Sequence, residues 1–316
     1  MSTQSNDGGS RPLESPGAAI PVVPGETRPF YWSVRRELWE NRSIYLAPIA
    51  AAAVGMGAFL INLFYLPHNM HKTAALDPSH QSAMLAQPFA HVAMLVILTA
   101  LLVGFFYSLD ALHGERRDRS ILFWKSLPVS DRTTVVSKLV IPLVVLPLVV
   151  FVLAVVSQIA ILLISLLALS ITGGGAATMW TRIPIFGMEL VVLYGLIVMA
   201  LWYAPIYAWF LLVSGWARRA VFLWAVMPWI AITAFEFVAF RTTFFERVLK
   251  DRLFGFAETA FNLQLSNGET IDPHLIPLSQ LTPARFLASP SLWFGLMFAA
   301  VCVATAIRLR RFRDPI

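Results

Sequence analysis

Five long stretches of this chain contain no aspartate, glutamate, lysine or arginine, and this feature limits its fold more than any other. They cover residues 43–71, 78–109, 139–181, 190–217 and 286–307. A helix needs about 20 apolar residues to cross the hydrocarbon core of a bilayer, so each stretch can hold one crossing. A sixth candidate, residues 220–240, is interrupted by one charge at Glu236. The pattern predicts an all-α membrane protein with six transmembrane helices.

The composition favours a membrane protein over a soluble one. Only 13% of the 316 residues are charged, whereas a soluble domain carries about 25%. The net charge of +6 is explained by basic cytoplasmic loops rather than by nucleic-acid binding. The single cysteine, Cys302, excludes a disulfide framework or a cysteine metal site within one chain.

The six spans define one transmembrane domain, expected over residues 44–313. The third apolar run, 139–171, would be about 50 Å long as a helix. It could be one long, tilted helix or a tight hairpin, and the absence of a Gly or Asn-Gly turn in its middle favours the single helix. The spans are expected at approximately 44–66, 88–110, 136–169, 184–215, 220–240 and 290–308.

The distribution of Lys and Arg predicts the orientation. With six spans, 17 of the 24 basic residues lie on the side that holds both termini. Cytoplasmic loops carry the excess of Lys and Arg, so both termini are placed in the cytoplasm of a multi-pass inner (plasma) membrane protein. A hairpin in the third run would move Arg218 and Arg219 outside and break this pattern.

Two segments precede the first span. Residues 1–27 are rich in Ser, Gly and Pro and lack an apolar core, which predicts a disordered cytoplasmic tail rather than a signal peptide. In residues 28–43, Phe30, Val34 and Leu38 recur at helical spacing among charged residues. This favours an amphipathic helix on the membrane surface. The alternative is a plain basic anchor.

Motifs for catalysis or nucleotide binding are absent from the sequence. No G-x-x-x-x-G-K-[ST] motif occurs, and neither H-E-x-x-H nor G-x-S-x-G is present, so we expect no enzyme and no cofactor bound by this chain. His68 and His71 are spaced i, i+3, but two histidines without a third ligand fall short of a typical metal site. We therefore expect no metal.

A few side chains could line a pathway through the membrane. Glu189 and Glu236 are acids near membrane depth, where charges usually face a bundle interior or a cavity. The alternative is that both lie at the level of the outer headgroups. Tyr203 belongs to an aromatic cluster in the fourth span that could line a path or face lipid equally well. Gln158 and Ser157 are expected to make hydrogen bonds between helices.

A polar segment, residues 113–132, joins the second and third spans. Asp118 and Ser120 can cap a short helix that Pro128 ends. Ser130 then caps the next helix, with an acid, Asp131, in its first turn. The result is a short helix held between the rigid ends of two spans. Such a helix could transmit a displacement caused by a docked protein to the spans. The alternative is a solvated loop that only satisfies the charge asymmetry.

A motif runs from this segment into the third span. Its residues are Glu115-Arg116, Ser120-Ile121-Leu122, Ser126-Leu127-Pro128-Val129-Ser130, Arg132 and Ser137-Lys138-Leu139. This motif resembles that of the permease subunits of ABC-2 type exporters, although Ser120 stands where Gly or Thr is common in that family. The resemblance extends over residues 28–313: a basic amphipathic helix, the motif between spans two and three, and a large loop at 241–289 before span six.

The resemblance implies an ABC-2, type V exporter-like architecture. Two permeases, identical or sister chains, would bind two copies of a separate ATPase that holds ATP and Mg. The 241–289 loop would supply outer re-entrant helices. Coupling to the ATPase would involve Glu115, Arg116, Arg117, Asp118, Ile121, Leu122, Trp124, Leu127 and Pro128. The connecting helix would involve Arg35, Arg36 and Trp39.

The expected function is therefore that of a permease subunit. It would form the path for a hydrophobic or amphipathic substrate such as a lipid, a drug or a peptide. Its partners would be the dimeric ATPase, a second permease and membrane lipid, without nucleic acid. The alternatives are a membrane-embedded enzyme and a non-transport membrane sensor.

Overall fold

The protein is built from helices that are mostly long and apolar. A computed structural model describes residues 28–63, 78–120, 122, 129–172, 185–261 and 278–312, and every regular element in these ranges is helical. Six of the helices are long and apolar enough to cross a membrane. The prediction of an all-α, six-span, multi-pass membrane protein is confirmed at this level.

The elements follow the apolar runs of the sequence. The second, third and fourth spans, with 32, 41 and 32 residues, are longer than a flat crossing needs. The helices are α1 Pro29–Glu40, α2 Ser43–Leu63, α3 Pro78–Asp110, α4 His113–Arg117, α5 Asp131–Val140, α6 Leu146–Thr172, α7 Ile185–Trp216, α8 Val221–Phe240, α9 Phe244–Phe254, α10 Phe256–Phe261, α11 Pro283–Ala288 and α12 Pro290–Phe312.

The third apolar run forms one span and not a hairpin. Helices α5 and α6 are joined without a break by a π-helical turn, Ile141–Val145, so that Asp131–Ile171 is a single span of 41 residues. Pro142 lies in this turn and has no N–H to donate, and the wider turn lets Leu146 N–H donate to the Ile141 carbonyl. The proline therefore changes the helix locally without ending it.

The spans pack around α3 and α7, which contact each other. Helix α12 lies along α7, while α2 and α6 pack against α3. Helices α3 and α7 approach closely at Gly104, where an added Cβ would lie 3.1 Å from Tyr207 Oη and 3.3 Å from Leu146 Cδ1. The absence of a side chain at this position lets three spans meet.

Helix α8 is the most exposed span. Only 11% of its most apolar window is buried, and both ends are set by residues in left-handed backbone, Ala220 (φ 52°) and Arg241 (φ 51°). The chain then turns back along the bundle through α9, α10 and α11, the described part of the 241–289 loop. These helices pack against α7 rather than extending away from the spans.

Candidate functional site

Six charged side chains meet where α1 packs against the ends of three spans. We call them the charged cluster, and we call the end of the bundle where they lie the charged end. Helix α1, α4, the third span and the end of α12 each contribute to it, although some members are more than 100 residues apart in sequence. The members are Arg36, Glu37, Glu115, Asp131, Lys138 and Arg310.

Glu37 is the acid at the centre of the cluster. Its side chain is 1% exposed, and its Oε1 accepts hydrogen bonds from Lys138 Nζ at 2.8 Å and from Arg36 Nη2 at 2.7 Å. Its Oε2 accepts a hydrogen bond from Tyr107 Oη at 2.8 Å. This one carboxylate therefore links α1 to both the second and the third span.

Glu115 extends the cluster to the sixth span. Its Oε1 lies 2.8 Å from Arg36 Nη2 and 3.1 Å from Lys138 Nζ, while its Oε2 lies 3.1 Å from Arg310 Nη2. Arg310 also approaches Asp131 Oδ1 at 3.7 Å. Three acids thus face three bases, and a fourth acid, Glu40, approaches Arg36 Nε at 3.5 Å from the edge of the cluster.

Next to the cluster, two polar side chains join α4 to the end of α7. Arg116 Nη1 donates to the carbonyl of Gly215 at 2.9 Å and to that of Ala217 at 3.2 Å. Ser214 Oγ accepts hydrogen bonds from the backbone N–H groups of Leu112 and His113. The carbonyls at a helix C-terminus have no partner within the helix, so Arg116 supplies one that α7 lacks.

Burial and ion pairing act in opposite directions on the acids of α1. Burial by itself raises the pKa of Glu37, but Lys138, Arg36 and the Tyr107 hydroxyl outweigh it and hold the pKa below its ordinary value. For Glu40, at the edge of the cluster, burial prevails over Arg36 and raises the pKa. Glu37 is therefore a carboxylate in the folded protein.

The local sequence explains how these charges become buried. Glu37 lies on the same face of α1 as Val34 and Leu38, which pack against the core, so that face carries the acid inward. Lys138 follows the buried Val135 by three residues on α5. The sequence reasoning missed Glu37, Tyr107 and Arg310 as site residues. The available signal was a glutamate at helical spacing within the apolar face of α1.

The predicted coupling residues fall into three groups. Glu115 and Arg116 are buried, with 8% and 5% exposure, so their charges face the protein interior rather than a docking surface. Arg117 and Asp118 are exposed and pair with each other at 3.1 Å, and Leu122 is exposed as well. The role of these groups in docking stays a prediction. The remaining four residues, Ile121, Trp124, Leu127 and Pro128, lie outside the described side chains.

The predicted connecting-helix residues lie on two sides of α1. Arg36 belongs to the charged cluster, whereas Arg35 packs between two exposed indoles, with its guanidinium carbon 5.1 Å from the Trp32 ring centre and 4.5 Å from that of Trp39. An arginine between two aromatic rings suits a membrane interface. Val34 and Leu38 pack inward as the spacing predicts, while Phe30 remains exposed.

Glu236, one of the predicted pathway acids, caps a helix. Its carboxylate accepts hydrogen bonds from Thr242 Oγ1 at 2.6 Å and from the backbone N–H groups of Phe244 and Phe245 at 2.7 Å each. These are free donors in the first turn of α9, and Thr243, in the N-cap position, makes no such bond with its side chain. The geometry accounts for Glu236 without a pathway.

Tyr203, another predicted pathway residue, lies in a packed aromatic group. Its Oη donates to the Leu253 carbonyl at 2.8 Å, and the indole N–H of Trp202 donates to the Arg252 carbonyl at 2.8 Å. Nearer the start of α7, Tyr194 Oη donates to the Ala260 carbonyl at 3.2 Å. These bonds satisfy carbonyls at the ends of α9 and α10.

Glu189 is the third predicted pathway residue. It lies near the start of α7, and among the residues that the structure describes neither carboxylate oxygen has a hydrogen-bond partner. Gln158, on α6, was expected to bond to another helix, but its buried amide likewise has no partner within the described ranges. Ser165 Oγ on the same helix has no partner in these ranges either, so the contacts leave the roles of all three side chains open.

Comparison with known proteins adds no relative. No family model matches the chain, and no curated protein or solved structure does either.

The charged cluster has a mechanical consequence. It ties α1, α4 and the ends of spans two, three and six together, and Arg116 adds the end of span four. A force applied to any one of these elements would be passed to the others.

Proposed function

We propose that this protein is the transmembrane permease subunit of an ATP-driven exporter of the ABC-2 type. It moves a hydrophobic or amphipathic substrate and is coupled to a separate ATPase. The observation that carries the proposal is the charged cluster, which joins the polar segment 113–132 to α1 and to the ends of spans two, three and six. The resemblance of that segment to ABC-2 permeases supports the same function.

The cluster supports coupling because it is buried and mutually paired. Separating one partner from a buried ion pair leaves an uncompensated charge and costs about 3–5 kcal/mol. The elements that carry the six charges therefore move together rather than separately. A displacement of α4 by a docked ATPase would be transmitted through Glu115 to Lys138 on the third span and Arg310 on the sixth.

The energy for this movement comes from the partner chain. The sequence has no phosphate-binding loop, so ATP and Mg are bound by the ATPase, and the charged end faces the cytoplasm where the ATPase resides. Arg117, Asp118 and Leu122 are exposed, and so are Arg119, Ser130 and Arg132 of the same segment. They form the surface that meets the ATPase.

The decisive experiment is co-purification with a cognate ATPase. The chain is expressed with the ATP-binding cassette ATPases of the same genome, and complexes are isolated and assayed for ATP hydrolysis in lipid vesicles. We expect one ATPase to form a stable complex, while the purified chain alone hydrolyses no ATP. If none of them binds, or if this chain by itself hydrolyses ATP, the proposal is overturned.

The docking surface is tested with matched charge reversals. Arg117→Glu should weaken the complex, because the arginine is exposed in the segment, whereas Arg247→Glu, an equally exposed arginine on α9 away from the charged end, should not. Equal binding by both variants would argue against docking at this segment. Membrane extraction and elution volume serve as folding controls for both.

A further inference from the structure

One arginine lies away from the charged cluster, beside the first turns of the sixth span. Arg252 is in the last turn of α9, and its carbonyl and its guanidinium both contact Trp202, the former by a hydrogen bond of 2.8 Å. Trp202 is near the middle of the 32-residue helix α7, about 21 Å along the helix from Trp216. Arg252 Nη1 donates to the carbonyl of Ser291, the second residue of α12, about 29 Å along that helix from Arg310. Arg252 therefore lies near the end of the sixth span that is opposite the charged cluster.

The path of the chain explains how a charge reaches this position. Helix α9 starts where Glu236 caps it, close to the end of α8, and finishes beside Trp202. Helix α10 then runs back along α7. At the start of α10, Phe256 packs on Tyr203, and at its end the Ala260 carbonyl accepts a hydrogen bond from Tyr194. The pair forms a hairpin that enters along α7 and returns. Such backbone is tolerated in a membrane because its carbonyls are satisfied by neighbouring side chains.

The guanidinium of Arg252 is held in place but is not fully paired. Its central carbon lies 4.8 Å from the Trp202 ring centre, and Nη1 donates to the Ser291 carbonyl at 3.2 Å. Nη2 is buried and has no hydrogen-bond partner among the described residues. An added Cβ at Gly295 would overlap the guanidinium, so α12 leaves the space that it occupies.

No carboxylate in the described part of the chain neutralises this arginine by a close ion pair. Asp251 is its nearest acidic influence, and that carboxylate accepts a hydrogen bond of 3.4 Å from Ser291 Oγ. Burying a charged group without a partner is costly, so such a group normally binds a counter-charge. The apolar side chains that flank it, Phe254, Trp293 and Phe294, are exposed.

We propose that Arg252 binds the anionic headgroup, a phosphate or carboxylate, of an amphipathic lipid whose acyl chains lie on the exposed apolar surface of α9 and α12. The planar guanidinium suits such a group because it can donate two parallel hydrogen bonds to its oxygens. The identification of this lipid as the transported substrate rests on the proposed function. The binding site itself does not.

Binding is tested on the purified full-length chain in nanodiscs of phosphatidylcholine. Radiolabelled phosphatidylglycerol is titrated in, with phosphatidylcholine and inorganic phosphate as comparison probes. We expect saturable binding of phosphatidylglycerol that Arg252→Gln weakens about tenfold, as expected for the loss of charge-assisted hydrogen bonds. Arg252→Lys should restore part of the affinity, and inorganic phosphate alone should not bind.

Two variants separate this site from general surface charge and from misfolding. Arg247→Gln removes the same charge from an exposed position on the same helix and should leave binding unchanged. Gly295→Ala keeps the charge but displaces the guanidinium, and should weaken binding as Arg252→Gln does. Equal effects of Arg247→Gln and Arg252→Gln, no effect of Arg252→Gln, or phosphate binding at this site would overturn the proposal.

The substrate assignment has its own measurement. In the complex with the ATPase, phosphatidylglycerol should stimulate ATP hydrolysis, and Arg252→Gln should abolish the stimulation, whereas Arg247→Gln should keep both the basal rate and the stimulation. Binding without stimulation would overturn the assignment as substrate. If no ATPase binds the chain, the proposed function fails while the nanodisc result still decides whether Arg252 is a lipid site.

Discussion

Glu37 Oε1 and Lys138 Nζ lie 2.8 Å apart, and the two side chains are 1% and 3% exposed. The pair joins the short helix α1 to the third span across 101 positions of sequence. A buried pair of this kind adds little stability over an apolar pair of the same volume, but removal of only one of its two charges is strongly destabilising. The pair therefore fixes the position of α1 against the third span.

Lys138→Met is expected to destabilise the protein strongly. It leaves Glu37 and Glu115 with one cation fewer in a buried setting, which costs about 3–5 kcal/mol. Thermal unfolding of the detergent-solubilised protein measures the loss. The double variant Glu37→Gln/Lys138→Met should recover part of it, and Lys250→Met, at an exposed position of α9, should change nothing. Additive losses in the double variant would contradict direct pairing.

The contribution of Glu37 should depend on pH in a defined window. Although burial by itself raises the pKa of this carboxyl, Lys138, Arg36 and Tyr107 hold it below the ordinary 4.5. A lowered pKa in the folded state adds stability that is complete above the ordinary value and is lost as the pH falls through the folded one. The melting temperature of the native protein should therefore exceed that of Glu37→Gln at neutral pH, and the difference should shrink only below pH 4.5. A difference that already shrinks near pH 6 would exclude this assignment.

Those features of the fold that depend on neighbouring residues could be predicted from the sequence. The uncharged runs predict six spans, because a helix satisfies its backbone hydrogen bonds within its own residues. The lack of a turn signal in the third run correctly predicts one span there rather than a hairpin. The cap at Ser130 is also confirmed: Ser130 Oγ accepts a hydrogen bond from Thr133 N–H at 3.1 Å. These features involve contacts within a few residues.

The charged cluster could not be predicted in the same way. The partners of Glu115 come from α1, the third span and the sixth span, up to 195 positions away, and no local pattern states which distant charges will meet. The sequence predicts Glu115 and Arg116 as coupling residues, and packing buries both side chains, while their role in coupling stays a prediction. Glu236 shows the same limit, because it caps a helix that begins after a turn of left-handed backbone at Arg241.

Glu236→Ala should loosen the start of α9 without unfolding the spans. The carboxylate is the acceptor for two backbone N–H groups in the first turn, and removal of a helix cap should accelerate local amide exchange by about fivefold. Hydrogen–deuterium exchange of the peptide that contains Phe244 and Phe245 measures this. Glu246→Ala, an acid in the same turn with an exposed side chain, should have a smaller effect. Equal exchange in both variants would count against the capping role.

Ala220→Gly should stabilise the protein. Ala220 has a φ of 52°, in the left-handed region, where a residue with a Cβ is strained by about 1–2 kcal/mol and glycine is not. A gain of about 0.5–1 kcal/mol is expected after the extra freedom of glycine in the unfolded chain is subtracted. Ala231→Gly, at an exposed position within the same span, should instead destabilise by about 1 kcal/mol. Melting temperatures of the two variants, measured in one detergent, should shift in opposite directions.

Arg116 and Arg117 are neighbours, but their replacement should have different effects. A change at Arg116 should affect stability, and a change at Arg117 should affect docking. Arg116 is buried and donates to the carbonyls of Gly215 and Ala217, so Arg116→Ala should lower the free energy of unfolding by about 2–4 kcal/mol because those groups lose a charged partner. Arg117 is exposed, so Arg117→Ala should leave the melting temperature unchanged.

The same pair of variants should differ again in the complex with the ATPase. Arg117→Ala should weaken ATPase binding in a co-purification assay while the permease stays folded, because an exposed charge can contact a partner without supporting the fold. Any loss of complex in Arg116→Ala should follow its loss of stability and recover at low temperature. If Arg117→Ala binds the ATPase normally and Arg116→Ala fails to bind it at every temperature, the contact would run through the end of α7 rather than through the exposed segment.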